Sequence, residues 1–170
     1  ADRDPDLATT ISPYTNEPIN RFLHIANSSE DLFMQNKMQR KLGQLTGTCF
    51  QRCVGMDAFN ALHSVTYEID EKYNTNYHDK FINFLTKMHE GNFVIGGAMT
   101  DVKGDRSKPP HQQADQDLYL RVVNRDDKGV YVSGAKAHQT GCINSHWMVV
   151  MPTLRPVSYT HLRAHETPLH

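Results

Sequence analysis

The stretch HEGNFVIGGAM, His89–Met99, decides how the chain is organised, because the hydrophobic period changes within it. On its N-terminal side, apolar residues recur at helical spacing and predict helices over about residues 28–45, 48–73 and 78–89. The run NFVIGGAM is short, apolar and glycine-rich, which favours a strand. The first 90 residues are therefore predicted to be helical. The stripe predicted for the middle helix is Val54, Ala58, Leu62, Val65 and Ile69.

Two further regions after Met99 have a β-rich pattern. In DLYLRVVNRDDKGVYVSGAK, Asp117–Lys136, two such runs flank RDDKG, and Gly129 suits a hairpin turn with positive φ. SHWMVVMPT, Ser145–Thr153, is a further strand candidate. Helices that precede strands favour an α+β fold over an alternating βαβ sheet. We expect a helical domain over 1–92, truncated at its start, and a partial β domain over 93–154.

The last residues, 155–170, do not continue these patterns. They carry His161, His165 and His170 without a regular apolar period. A histidine-rich metal tail is one interpretation, and a non-native tail is the other. Because PVSYTHLRAHETPLH resembles translated sequencing-adapter read-through, we interpret 155–170 as non-native and expect it to have no packed place in the structure.

Composition excludes several classes of function. The chain has 170 residues, a formal net charge of −1 and a pI of about 6.9, so no basic field predicts nucleic-acid binding. No apolar run is long enough for a membrane span, and the N-terminus lacks the pattern of a signal peptide. Three cysteines are too few for a disulfide framework. These features favour a cytoplasmic protein, and the absence of an initiator methionine favours a missing start.

Cys49 and Cys53 lie one helical turn apart in TGTCFQRCVGMDAFNAL, Thr46–Leu62. Free cysteines often fill core space, which is one interpretation of the pair. The other is metal ligation, because residues four apart on a helix point the same way and two thiolates could reach one iron–sulfur cluster. We predict that Cys49, Cys53 and Asn60 share one helix, with both sulfurs on the same side.

Two polar segments are candidate ligand-binding loops. In GAMTDVKGDRSKPP, Gly97–Pro110, Lys103 and Arg106 could meet phosphates with Thr100 as a further donor, although an ordinary connecting loop has the same composition. GAKAHQTGCINSHW, Gly134–Trp147, is denser in hydrogen-bonding groups than a turn requires. Its polar side chains fit a site or a structural cluster equally well, and its Cys142 is interpreted as a packing residue. The side chains are Lys136, His138, Gln139, Thr140, Asn144 and His146.

Taken together, four motifs resemble the 4-hydroxybutyryl-CoA dehydratases, a branch of the flavin-dependent 4-hydroxyphenylacetate 3-hydroxylase family. This resemblance implies an acyl-CoA dehydrogenase-like architecture with a β-barrel-like middle domain, of which the chain is an internal fragment. It also implies FAD and a 4Fe–4S cluster held by three cysteines and one histidine. Cys49 and Cys53 would be two of these ligands, and the others lie outside this chain, because no His-x₆-Cys helix is present. The motifs are KMQRKLGQLTGTCFQRCVGMDAFNAL, TYEIDEKYNTNYH, GAMTDVKGDR and GAKAHQTGCINSHWMVVMPT.

The resemblance implies a reaction as well. The family dehydratase converts 4-hydroxybutyryl-CoA to crotonyl-CoA through a ketyl radical and also isomerises vinylacetyl-CoA, which makes this chain part of a lyase that is inactive alone. Gln51 and Thr140 would line the substrate side. The implied partners are an acyl-CoA substrate and further copies of the parent enzyme, with neither nucleic acid nor membrane. The implied FAD contacts are Met99, Thr100, Lys103, Asp105, Arg106, His138, Gln139 and Thr140.

Two alternatives remain open at this stage. A flavin-dependent 3-monooxygenase of the same family would hydroxylate a phenol such as 4-hydroxyphenylacetate and would not need the cysteine pair. A non-enzymatic helical interaction module would bury its cysteines in the core. In that module, the segments GAMTDVKGDR and GAKAHQTG would face solvent without converging.

Overall fold

The computed structural model describes residues 4–48 and 52–151, without the side chains of residues 52–54. These residues form two compact units, the first from residues 4–98 and 139–150 and the second from residues 99–138. The predicted tail, 155–170, lies outside the described residues. So do Cys49 and Gln51. The predicted boundary between a helical and a β domain at residues 92/93 stays a prediction.

Three long helices of the first unit confirm the helical prediction for residues 28–90. They are α2 (Ser29–Thr46), α3 (Arg52–Tyr73) and α4 (Tyr77–Glu90). Helix α2 begins at the Ser28 cap, whose hydroxyl accepts the Asp31 N–H at 3.1 Å. It ends at Gly47, whose φ of 68° lies in the left-handed region. Thr48 lies in the turn after Gly47 and is not helical, and the described part of the second predicted helix, from about Thr48 to Tyr73, begins at Arg52.

The turn between α3 and α4 is held by Asp70. Its carboxylate accepts hydrogen bonds from the Thr75 hydroxyl and from the backbone amides of Tyr77 and His78. Burial alone would raise the pKa of Asp70, but these hydrogen bonds outweigh it and hold that pKa below its ordinary value. One side chain of α3 thus caps the N-terminus of α4 and sets the short connection between the helices.

The prediction that residues 1–90 are all helical was wrong for the N-terminal part of the described chain. A four-residue helix α1 (Pro5–Ala8) leads into strands β1 (Thr9–Ile11) and β2 (Pro18–Asn20), which pair antiparallel. A 3₁₀ turn over Arg21–Leu23 follows. The buried Arg21 guanidinium donates to the carbonyls of Asp6, Leu7 and Thr9 at 2.9, 2.8 and 2.6 Å, so it ties α1 and the start of β1 to this turn.

Helix α3 lies directly against strand β3 (Ile95–Ala98), which begins where the sequence period changes. A Cβ on Gly55 would stand 2.7 Å from the Ile95 carbonyl oxygen, so only glycine permits this approach. Strand β3 pairs in parallel with β6 (Trp147–Val150), from Ile95↔Trp147 to Ala98↔Val150. The main buried cluster of this unit is Ile19, Leu23, Ile25, Phe59, Phe81, Leu85, Met88 and Ile95.

The second unit contains the predicted hairpin. Strands β4 (Arg121–Asp126) and β5 (Gly129–Ser133) pair antiparallel, and Gly129 has a φ of 150° at the turn. The Asp126 carboxylate accepts the Lys128 and Gly129 amides at 2.9 and 3.1 Å. Over residues 4–48 and 52–151 the strands form three two-stranded sheets and no closed barrel, so the barrel-like middle domain stays a prediction.

Within the described part of the chain, no helix is long and apolar enough to cross a membrane.

A buried histidine joins three segments of the first unit. The Nε2–H group of His89 donates to the Leu23 carbonyl at 2.9 Å, so Nδ1 is left to accept the Ser12 hydroxyl at 2.8 Å. Ser12 Oγ in turn accepts the Tyr14 and Thr15 amides, both at 3.1 Å. This arrangement uses the neutral imidazole. Burial lowers the pKa of His89, the bond to Leu23 opposes that shift, and the nearby His24 lowers the pKa further.

We expect His89 to make this unit sensitive to acid. Its pKa is lower in the folded than in the unfolded chain, so its contribution is present above about pH 6.5 and falls as the pH drops through the folded-state value. The unfolding midpoint should therefore fall more steeply from about pH 7 to about pH 5 in the wild type than in His89→Gln. His111→Gln, a change at an exposed histidine, serves as the control. Equal slopes for the wild type and His89→Gln would contradict this prediction.

Candidate functional site

The two polar segments singled out in the sequence meet within the second unit. Asp101 and Lys136 face each other in an antiparallel bridge, and the Ala137 amide donates to the Thr100 carbonyl at 2.8 Å. The Lys136 ammonium lies 2.7 Å from Asp101 Oδ1 and donates to the Met99 carbonyl at 3.1 Å. The side chains of Lys136 and Asp101 are only 7% and 10% exposed. This convergence contradicts the interaction-module alternative, in which the two segments stay apart.

The loop after Val102 has a defined backbone shape. Lys103 and Gly104 both have positive φ, 75° and 43°. A Cβ on Gly104 would stand 2.5 Å from Leu118 Cδ1 and 2.6 Å from Gln113 Oε1, so the loop packs closely on these side chains. The Tyr119 hydroxyl also donates to the Lys103 carbonyl at 3.0 Å. Side chains that follow the loop in sequence therefore hold its backbone.

The charged side chains of this loop differ in their surroundings: Asp105 forms bonds within the loop, whereas Lys103 and Arg106 are exposed to solvent. The Asp105 carboxylate accepts the Ser107 hydroxyl and amide at 2.7 and 3.0 Å and lies 3.5 Å from the Lys108 ammonium. The hydrogen bonds from Ser107 lower the pKa of Asp105 most, burial opposes them, and Lys108 adds to the lowering. Lys103 and Arg106 are exposed, and neither forms an ion pair within the described residues. Two exposed cations on a loop with a defined shape are a donor set that fits phosphate groups.

The remaining predicted flavin contacts are split between the units. His138, with a φ of 57°, is exposed and belongs to the second unit, as do Met99 and Thr100. Gln139 and Thr140 belong to the first unit, where the Gln139 carbonyl accepts the Cys142 amide at 3.1 Å. Thr140 is exposed. The structure therefore brings Met99, Thr100 and the segment around Lys136 together, whereas Gln139 and Thr140 stay predictions.

The cysteine prediction falls partly outside the described residues. Cys53 and Asn60 lie on α3, as predicted, but the prediction for Cys49 and for both sulfurs lies outside the description. Cys142 begins a 3₁₀ turn and is an exposed free thiol, which makes its interpretation as a packing residue wrong. Among residues 4–48 and 52–151, no group of three or more His, Cys, Asp or Glu side chains could hold a metal ion. The iron–sulfur cluster thus stays a prediction.

A cavity of about 500 Å³ opens between α2 and α3 in the first unit. Asp57 and Asn60 of α3 line it. Asn60 also accepts the Ala26 amide at 2.8 Å and donates to the Met56 carbonyl at 2.9 Å. The cavity is lined by Ala26, Leu32, Gln35, Asn36, Gln39, Met56, Asp57 and Asn60.

Three residues that organise these regions were absent from the sequence-based site: Asp101, Gln113 and Tyr119. Asp101 lies inside the quoted motif GAMTDVKGDR, directly after Thr100. Its position in that motif was the available signal for a role at the site. Gln113 lies beyond Pro110, in a polar segment without a period, and Tyr119 lies in the β-rich run that begins at Asp117, which was interpreted only as a strand. Their roles follow from contacts across the loop and not from local pattern.

Comparison with known proteins gives a consistent set of relatives. The family model described as 4-hydroxyphenylacetate 3-hydroxylase N terminal matches residues 1–161. The 4-hydroxybutyryl-CoA dehydratase/vinylacetyl-CoA-Δ-isomerase of Clostridium aminobutyricum is 55% identical over 149 residues, which are 88% of this chain and 30% of that protein.

Solved structures are similar as well. An oxygen-tolerant archaeal 4-hydroxybutyryl-CoA dehydratase from N. maritimus is 65% identical with a TM-score of 0.85, and the match covers 92% of this chain and 31% of that one. The oxygenase component of 4-hydroxyphenylacetate 3-monooxygenase complexed with FAD is 17% identical with a TM-score of 0.61, over 92% and 32% of the two chains, and shows the fold alone. The chain spans about a third of the length of these relatives, as expected for a fragment.

Proposed function

The chain belongs to the 4-hydroxyphenylacetate 3-hydroxylase family, and from that premise we propose that it is part of a dehydratase that converts 4-hydroxybutyryl-CoA to crotonyl-CoA with FAD and a 4Fe–4S cluster. The observation that carries this proposal is the meeting of the two polar motifs at the Asp101–Lys136 pair. Identities of 55% and 65% to dehydratases support this branch over the monooxygenases of the family.

The residues of the second unit fit a flavin that carries phosphates. Bound FAD would supply one-electron chemistry at the substrate. Lys103 and Arg106 would balance its phosphate charge, and the Thr100 hydroxyl would donate a hydrogen bond to it. The Asp101–Lys136 pair would fix the backbone on which Met99 and Thr100 stand. Asp105 acts inside the loop, since its carboxylate already accepts two hydrogen bonds from Ser107.

The other roles rest on the family resemblance. Cys49 and Cys53 would be two cluster ligands, and the remaining ligands would come from outside this chain. Gln51 and Thr140 would line the substrate side, with His138 and Gln139 as further flavin contacts. The cavity on α3, lined by Asp57 and Asn60, supports an acyl-CoA site near the same helix. The same proposal includes vinylacetyl-CoA isomerisation by the whole enzyme, its homo-oligomeric assembly and its cytoplasmic location. It also includes the lack of activity of this chain alone.

Iron, acid-labile sulfide and flavin analysis of the anaerobically purified full-length protein tests this function. We expect flavin, the iron and sulfide of a 4Fe–4S cluster, and crotonyl-CoA formation. Cys49→Ser and Cys53→Ser should each lose most of the iron and nearly all dehydratase activity, because each removes a thiolate ligand. Cys142→Ser is the matched control and should keep both, since Cys142 is not a proposed ligand.

Two outcomes would contradict the proposal. Flavin without iron in the wild-type protein would favour the monooxygenase alternative, which hydroxylates a phenol and needs no cluster. Iron loss from Cys142→Ser equal to that from Cys53→Ser would show that the ligands have been misassigned.

A further inference from the structure

The Gln113 side chain makes three hydrogen bonds to the loop from Lys103 to Lys108, which we call the candidate phosphate loop. Gln113 is 7% exposed, and both the oxygen and the nitrogen of its side-chain amide form hydrogen bonds with the backbone of this loop. Gln113 Oε1 accepts the Asp105 amide at 2.9 Å, and Nε2 donates to the carbonyls of Asp105 and Lys108 at 2.6 and 2.9 Å. Both N–H donors of this amide and one of the two lone pairs of its oxygen thus form hydrogen bonds with the loop.

These three bonds fix the backbone on both sides of Arg106. Asp105 precedes it and is held through its amide and its carbonyl, and Lys108 follows two residues later and is held through its carbonyl. The Gly104 turn, which precedes Asp105, has no room for a Cβ because Gln113 Oε1 would lie 2.6 Å away. Without this side chain, the backbone that carries Lys103 and Arg106 would lose three hydrogen bonds from outside the loop. A preorganised loop binds more tightly because it is ordered before the ligand arrives.

We propose that Gln113 is a positioning residue for flavin binding: its amide holds the loop from Lys103 to Lys108 in the shape that presents Lys103 and Arg106 to the phosphates of FAD. This inference rests on the proposed flavin site. It adds a residue outside the motifs that suggested that site, and it assigns the residue a role through the loop and not through contact with the cofactor.

The variant Gln113→Glu tests this role with little change of shape. Glutamate can still accept the Asp105 amide, but it sets a carboxylate oxygen against the two carbonyls that Nε2 now contacts. Gln112→Glu is the matched control, because Gln112 is exposed, adjacent in sequence and undergoes the same change of charge. In the full-length protein, we expect Gln113→Glu to raise the Kd of FAD about tenfold, since ordering even one or two loop residues costs about that much affinity. Gln112→Glu should change the Kd by about twofold or less.

A cycle with the two cations separates positioning from general damage. If Gln113 acts through Lys103 and Arg106, adding Gln113→Glu to the double variant Lys103→Met/Arg106→Met should weaken FAD binding no further. Hydrogen exchange at the amides of residues 104–108 should quicken in Gln113→Glu, with or without FAD, and should be unchanged in Gln112→Glu.

Three results would overturn the inference. An unchanged Kd in Gln113→Glu, alongside normal FAD binding by the wild type, would reject the role of Gln113 and leave the proposed function intact. If Gln113→Glu also weakens FAD binding about tenfold in the double variant Lys103→Met/Arg106→Met, the effects are independent and Gln113 has a merely structural role. A wild-type protein that binds no FAD would reject the proposed flavin site, and this inference with it.

Discussion

Replacing Lys136 by methionine should destabilise the second unit by about 3 kcal/mol, the lower end of the range for broken buried ion pairs. The Asp101 and Lys136 side chains are 10% and 7% exposed and lie 2.7 Å apart. Methionine keeps most of the volume and apolar length of lysine but removes the cation, so the Asp101 carboxylate loses this partner in a place that water barely reaches. The Met99 carbonyl loses its donor as well.

The double variant Asp101→Asn/Lys136→Met should recover much of this loss, because it also removes the buried carboxylate charge that Lys136 balances. Lys128→Met, at the exposed hairpin turn, is the control and should change stability by less than about 0.5 kcal/mol. Native-state hydrogen exchange at residues 99–101 and 135–137 of the full-length protein measures the effect locally. A double variant no more stable than Lys136→Met would show that the electrostatic account is wrong.

The elements with strong periodicity could be predicted from the sequence. Helices α2 and α4 occur within one or two residues of their predicted bounds, and the Arg125–Gly129 turn joins two strands as expected. The β1–β2 hairpin was missed because its strands have only three residues each, too few for alternation to stand out. Pro13, Asn16 and Pro18 were the available turn signals.

Burial was harder to predict than secondary structure. On α3 the predicted stripe included Val65, which is exposed, while Met56 and Phe59 are buried. The apolar residues of α3 occupy several faces, so which face meets α4 and β3 depends on tertiary contacts such as the Gly55 approach to Ile95. The parallel pairing of β3 with β6 depends on contacts between segments about 50 residues apart, which no local pattern encodes.

The candidate site shows the same division. The two polar motifs could be found from composition and family resemblance, because their residues are contiguous in sequence. The contact between the two motifs could not be predicted, since the Asp101–Lys136 pair joins positions 35 residues apart. Gln113 was missed because a buried glutamine in HQQAD looks like any exposed one until its three backbone partners are known.

Phe59 should be the most sensitive core position of the first unit. It is 1% exposed, and its ring meets Phe81 and Phe84 edge to face, with centroids 5.7 and 6.0 Å apart. Phe59→Ala removes these contacts and leaves a cavity between α3 and α4 that rigid neighbours cannot fill. We expect the free energy of unfolding to fall by about 3–5 kcal/mol. The aromatic pairs contribute to this loss beyond the effect of their buried area.

The matched control is Phe33→Ala on α2, where the ring is 59% exposed. The same atoms are deleted there without opening a cavity, so the loss should be below about 1 kcal/mol. Phe59→Leu should lie between the two alanine variants, because leucine refills part of the space. Hydrogen exchange of α3 and α4 amides in the full-length protein reports the local free energy of unfolding. Equal losses for Phe59→Ala and Phe33→Ala would contradict the packing described for α3 and α4, and with it the placement of Phe59 at the centre of this core.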